Sequence, residues 1–187
     1  CICDDSSSAA SVKTILRSYQ SSDPRVKLIF REKNGHICEA SNDALRMATG
    51  EYVALLDHDD ILADNALYWV ARELQKKPQA NLIYSDEDKV NDDGMRACPH
   101  FKPAFNIDLL LSYNFISHLG VYRREILKQI GGFRVGFEGS QDHDLALRTV
   151  LESSPDQIIH IPRVLYHWRA HSESTASNPD SKDYTTE

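Results

Sequence analysis

The chain has 187 residues, 41% hydrophobic and 26% charged, with 21 Lys and Arg against 28 Asp and Glu, a formal net charge of −7. That length suits about one domain, and the composition excludes a disordered chain, a collagen-like chain and a disulfide miniprotein. An acidic protein matches nucleic-acid phosphates poorly, so no nucleic-acid partner is expected, and any anion bound here calls for a cation or a helix N-terminus as mediator.

The first element is a short apolar strand over residues 1–4, ending at Asp4 and Asp5. Ser6, Ser7 and Ser8 offer N-cap hydroxyls to a helix whose apolar face is Val12, Ile15, Leu16 and Tyr19, broken at Asp23-Pro24. Residues 26–30 are β-rich and lead to an Asn34-Gly35 turn. A helix over 37–49 turns Ala40, Ala44, Leu45 and Ala48 inward and stops at Gly50. The uninterrupted apolar run 52–56 predicts a strand buried on both faces of a parallel sheet. An amphipathic helix over 64–77, ended by Pro78, and a strand over 82–84 follow. Strands and helices alternating at intervals of roughly 25–30 residues predict a parallel, doubly wound α/β sheet.

Beyond Asp86 the pattern loosens. Asp92-Asp93-Gly94 reads as a turn, and residues 95–118 carry no strong periodicity. A strand over 119–122, a short helix over 124–130 ending at Gly131-Gly132, a longer helix over 140–152 and a β segment over 158–168 complete the order. The tail from residue 172 is polar and is expected to fray. No repeat or internal linker divides the chain, and its abrupt start on a strand suggests a piece of a longer polypeptide. No apolar run approaches a membrane span, and no basic-then-apolar leader opens the chain. Cys1, Cys3, Cys38 and Cys98 form no CxxC pair and have no regular spacing, so free thiols and a reducing compartment are expected.

In open α/β sheets, ligands bind beyond the carboxyl ends of the strands. Two strands end there in acids: Asp4-Asp5, and Asp57-His58-Asp59-Asp60. Carboxylates packed this closely repel one another, and a hard divalent ion such as Mg²⁺ or Mn²⁺ relieves the repulsion. Capping of the following helix is the bland alternative; it suits Asp4-Asp5 before Ser6 better than the second cluster, since a helix needs one cap and not three carboxylates.

These residues, with Glu32-Lys33-Asn34-Gly35, Ala40-Ser41-Asn42 and the run from Ala48 through Asp60, closely resemble the family 2 glycosyltransferases of the GT-A fold. The likeness continues through Gly131-Gly132-Phe133, Gln141-Asp142-His143-Asp144 with Arg148, and Tyr166-His167-Trp168-Arg169-Ala170-His171, covering roughly residues 1 to 175 in order. Tyr84-Ser85-Asp86-Glu87-Asp88-Lys89 and Phe101-Lys102-Pro103 look like bacterial members that build O-antigen, capsule or rhamnan-type polysaccharides. The resemblance implies a mixed α/β GT-A sheet flanked by helices, over residues 1–175: a nucleotide-binding half over 1–90, an acceptor half over 91–175, and a polar tail over 176–187.

The function it implies is metal-dependent, inverting transfer of a sugar from a nucleotide-diphosphate donor to a hydroxyl of a polysaccharide or glycolipid acceptor. Asp59 then contacts the Mg²⁺ or Mn²⁺ ion, Asp57 the ribose or the metal, and His171 the metal or the diphosphate, while the role of Asp60 stays open. Asp5, or alternatively Asp4, accepts a hydrogen bond from the nucleotide base, and Asn42 sits beside the nucleotide. Asp142 is the base that removes the acceptor proton, near a helix N-terminus that favours its charged form; the family usually writes Glu-Asp where this chain has Gln141-Asp142. Asp144 orients Arg148, His167 packs, and His58 occupies a variable position.

Family members normally open with a further strand and loop, absent here. The expected consequences are a sheet without a central neighbour, weak nucleotide binding and transfer, and self-association at the open edge. A bacterial cytoplasmic location at the inner face of the membrane, with peripheral membrane contact through the parent protein, is also implied by resemblance. Two other readings remain: a receiver-like phospho-acceptor domain, against which stand the length and the late Gln141-Asp142 motif, and a non-catalytic or truncated GT-A-like scaffold.

Overall fold

In the computed structural model, which describes residues 1–170, the expected strands and helices of the first half form, with one further short strand over residues 61–62. β1 (Ile2–Asp4), α1 (Ala10–Ser22), β2 (Leu28–Phe30), α2 (His36–Met47), β3 (Tyr52–Ala54), β4 (Ile61–Leu62) and α3 (Ala66–Lys76) follow in order. β5 (Leu82–Val90) is much longer than its apolar start predicts, and turns through Gly94, at φ +76°, into β6 (Arg96–His100). Then come α4 (Ile107–Ser112), β7 (Gly120–Arg123), α5 (Arg124–Gln129), α6 (Gln141–Leu151) and β8 (Ile158–Arg169). The tail over 176–187 lies outside the described residues.

The parallel doubly wound expectation is corrected by the pairing. Only β1 with β2 and β5 with β8 run parallel; β3 with β7, β5 with β7, β5 with β6 and β4 with β8 are antiparallel. β3 and β5 do run the same way, but β7 inserts between them, antiparallel to both. β8 follows β5 along its whole length, so β7 and β6 share the other edge of β5, one after the other. The result is the mixed, helix-flanked sheet that the resemblance implies.

Two apolar clusters flank the long sheet. One joins Leu82, Tyr84, Phe115, Tyr122, Leu127 and Leu145; the other joins Val70, Ile83, Val121, Leu165 and Tyr166. At about 25 cal/mol per Å² of apolar area, this central burial dominates stability. The N-terminal unit contributes little to it: α1 has no buried residue, and Ile15 and Tyr19 of its apolar face are 54% and 61% exposed. Nor do the serines cap α1; its N-cap is Ala9, without a side-chain bond, while Ser6 Oγ donates to the Glu32 carbonyl at 3.3 Å.

The sheet is split. Among the described residues β1 pairs only with β2, and β3 pairs only with β7, so each keeps an open edge. A cleft of about 420 Å³ lies between the two parts, bounded by Cys1 and Lys27 on one side, Tyr52 through Asp57 on the other, and Ile37, Ser41, Ala44 and Leu45 of α2. β3 is therefore half-buried rather than enclosed on both faces. The four cysteines are free, and no helix among the described residues is long and apolar enough to cross a membrane. Burial and the neighbouring Glu138 push the Cys38 thiol up to about 11.

Candidate active site

One end of the cleft gathers the residues of chemical interest. β3 delivers Leu55, Leu56 and Asp57; the loop before β7 delivers His118; the first turn of α6 delivers Gln141 and Asp142. All of this follows from topology. The carboxyl end of β3, the start of antiparallel β7 and the N-terminus of α6 meet on one rim.

Asp57 keeps 49% of its side-chain surface open to the cleft while protein crowds its other side. Burial raises its carboxyl above the ordinary aspartate range; His118 opposes the rise, and the charges of Asp60, Asp59 and Asp142 add to it. His118 Nε2 stands 3.7 Å from Asp57 Oδ2, its ring stacked on Tyr166 with centroids 4.5 Å apart.

Asp60 serves the scaffold. Its Oδ2 accepts the Tyr166 hydroxyl at 2.6 Å and its Oδ1 accepts the Arg169 backbone N–H at 2.9 Å, which ties the acidic turn to β8. The Asp57 N–H donates to the same Tyr166 oxygen at 3.2 Å, and Arg169 Nε donates to the Asp59 carbonyl at 2.9 Å. The side chain of His58 is 98% exposed at the tip of the turn.

Asp4 and Asp5 part company. Asp5 is engaged: its oxygens accept the Gly35 N–H at 3.0 and 3.2 Å, and Arg31 Nε approaches Oδ1 at 3.0 Å. Asp4 is 5% exposed and its Oδ2 is buried without a partner. An unpartnered buried acceptor costs about 1–3 kcal/mol, so of the two acids Asp4 has the unmet hydrogen-bonding capacity.

Asn42 is tied into the fold. Its Nδ2 donates to the Phe133 carbonyl at 2.8 Å and its Oδ1 accepts the Phe133 N–H at 2.9 Å, so its amide clamps the Gly131–Phe133 turn onto α2. Ser41, its neighbour, lines the cleft instead. Gly132, at φ +69°, passes so close that a Cβ there would lie 2.4 Å from Asn42 Oδ1.

Asp142 Oδ2 accepts Asn114 Nδ2 at 2.7 Å. Asp144 points away, as expected, to Arg148 Nε at 2.9 Å, and also to Arg134. Burial works against its charge, but the two guanidiniums overcome it and hold its carboxyl below the ordinary range. His167 sits on β8 beside Asp88 of β5, its Nδ1 2.5 Å from Asp88 Oδ1. His171 lies outside the described residues. Sequence reasoning missed Asn114 and His118, which sit in the aperiodic stretch where no spacing marks them, and gave no role to Tyr166 within its motif.

Among the described residues, no three His, Cys, Asp or Glu side chains gather as a metal cage. This donor set nonetheless fits a hard ion such as Mg²⁺, which binds through one or two carboxylates with waters and substrate phosphates rather than through an all-protein cage.

The model for "Glycosyl transferase family 2" matches residues 1–131. An O-antigen biosynthesis protein, RfbC of Myxococcus xanthus, is 37% identical over 98% of this chain and 14% of its own length. An uncharacterized protein of Sinorhizobium fredii is 47% identical over the whole chain and 21% of its own length. The chain thus spans 14% and 21% of the length of these two relatives. In fold it is similar to S. aureus TarS 1–349 in complex with UDP-GlcNAc, at TM-score 0.73 and 19% identity, covering 94% of this chain and 50% of that one. It is also similar to the Pyrobaculum calidifontis mannosyltransferase PcManGT in complex with GDP-Man and Mn²⁺, at TM-score 0.64 and 20% identity, covering 90% and 47%. Both the motif order and the split, mixed sheet are accounted for at once: this chain belongs to glycosyl transferase family 2.

Proposed function

We propose that the chain is the donor-binding and transfer domain of a metal-dependent, inverting glycosyltransferase that moves a sugar from a nucleotide diphosphate to a saccharide or glycolipid hydroxyl. The observation that carries this reading is the sharing of one cleft by Asp57 and Asp142. One carboxylate faces the side of the acidic turn, and the other stands at a helix N-terminus across the opening.

Asp57 and Asp59 would hold the divalent ion, with His171 as a further ligand. Mg²⁺ or Mn²⁺ supplies charge neutralisation for the diphosphate as it leaves. Asp5, or alternatively Asp4 with its unpartnered oxygen, accepts a hydrogen bond from the nucleotide base. Asp142 takes the proton from the acceptor hydroxyl while that oxygen attacks the anomeric carbon opposite the diphosphate.

The test is a calorimetric titration with UDP, GDP and dTDP in the presence of Mn²⁺, followed by transfer assays. Asp57→Asn is expected to lose nucleotide binding. Asp142→Asn is expected to keep binding and lose transfer; an unchanged transfer rate would remove Asp142 from the reaction. A second reading, self-association of the isolated chain, is favoured by the open edges of β1 and β3, since unpaired strand edges template pairing. Sedimentation showing only monomer, together with tight nucleotide affinity, would reject it.

A further inference from the structure

The loop between α4 and β7 reaches the cleft twice from one short piece of backbone. Asn114 donates to Asp142 at 2.7 Å, and four residues later His118 faces Asp57. The Asn114 amide has only one workable orientation. Its Oδ1 accepts the Ser117 N–H at 3.1 Å, which leaves Nδ2 to meet the carboxylate.

Beneath the loop lies a buried charge with no part in the chemistry described so far. The Lys102 side chain is 0% exposed, and its ammonium donates to Glu87 Oε2 at 2.9 Å, to the Ile116 carbonyl at 2.7 Å and to the His118 carbonyl. Lysine has three N–H donors, and here each has an acceptor. The same Glu87 oxygen accepts the His118 N–H at 3.1 Å, while Phe115 and Ile116 are fully buried. A buried ion pair satisfied this completely does little for net stability compared with an apolar core, but it fixes geometry.

We propose that Asn114 is a positioning residue for Asp142, and that the buried Lys102, by gripping the carbonyls of residues 116 and 118, sets Asn114 in place. This rests on the reading of Asp142 as the proton acceptor. The carboxylate of a residue in the first turn of a helix can rotate about its terminal torsion, which is broad and twofold. A single amide donor on Oδ2 stops that rotation and leaves Oδ1 for the acceptor hydroxyl. Proton removal is sensitive to such placement, because an ångström of misplacement costs about 100-fold in rate.

The test compares Asn114→Ala, Asn114→Asp, Lys102→Met and Asp142→Asn in the full-length protein, with nucleotide affinity, kcat and its pH profile as readouts. Asn114→Ala should lower kcat by about 10- to 100-fold with nucleotide affinity unchanged. Asn114→Asp should move the acidic limb of the kcat profile upward by about one pH unit or more, because two adjacent carboxylates share a proton. Lys102→Met should lower kcat, and combining it with Asn114→Ala should add nothing, since both act through one contact. Should the methionine variant fail to fold, Lys102→Arg takes its place in the same comparison.

A wild-type kcat in Asn114→Ala, a parallel loss of nucleotide affinity, or an unmoved pH limb in Asn114→Asp overturns the role of Asn114. Additive losses in the double variant overturn that of Lys102. The Asp142→Asn arm separates the two levels: if it transfers normally, the base assignment itself is wrong, and if it is inactive while Asn114→Ala is not, only the positioning claim falls.

Discussion

The Tyr166 hydroxyl donates to Asp60 Oδ2 at 2.6 Å and accepts the Asp57 N–H at 3.2 Å, so one phenol on β8 holds both ends of the acidic turn. Burial and the Asp60 carboxylate push the ionisation of this phenol far above its ordinary value, which keeps it a donor. Tyr166→Phe leaves Asp60 Oδ2 without that donor and should destabilise the fold by about 1–3 kcal/mol. It should also weaken nucleotide binding in the presence of Mn²⁺. Urea denaturation and calorimetry on the same variant check the two effects, and loss of stability with wild-type affinity would separate the turn from the donor site.

Asp144 gives a pH-dependent expectation. Its carboxyl is held below the ordinary range in the folded chain, so its contribution is fully present above the unfolded value near 3.9 and drains away as pH falls through the lower folded one. Asp144→Asn should therefore cost about 2 kcal/mol at pH 7, the scale of a hydrogen bond to a charged group. The gap to wild type should narrow below about pH 4. Urea midpoints between pH 3 and 7 test this, and a constant gap would contradict it.

Gly132→Ala strains a left-handed backbone position and drives a methyl group into Asn42 Oδ1. The expected cost is about 1–3 kcal/mol, read as a lowered denaturation midpoint. Asn42→Ala, which removes the obstructing amide, should make the two substitutions less than additive.

Removing divalent ions should weaken nucleotide-diphosphate binding by at least about tenfold, roughly 1.4 kcal/mol. Without a cation, the phosphates meet the crowded charges of Asp57, Asp59, Asp60 and Asp142. Titration with and without EDTA reads this directly, and Asp57→Asn should blunt the difference.

The sequence carries the first half of this fold well, because apolar spacing and Gly or Pro stops there coincide with real element ends: α2 and α3 begin and end close to the expected places. It misleads at 52–56, where an apolar run predicts enclosure but the strand borders an open cleft. It is silent on β5 beyond Tyr84, since Asp86, Glu87 and Asp88 interrupt the apolar run. Their burial rests on Arg96 from the adjoining strand β6, and on His160, Lys102 and His167 from farther along the chain. The acids of the site were visible as motifs. Asn114 belongs to no motif, and Tyr166 stands in one without a visible role, because their significance lies in partners 28 and 106 positions away.

The thin burial of β1, α1 and β2 sets an order of opening. With α1 contributing no enclosed side chain, this lobe should unlatch locally while the β5–β8 ladder stays closed. Amide protons of Ile2–Asp4 and Leu28–Phe30 should thus trade for deuterium well before those of Leu82–Tyr84. Asp4, the buried acid at the end of β1, is carried on that looser lobe and should be released with it.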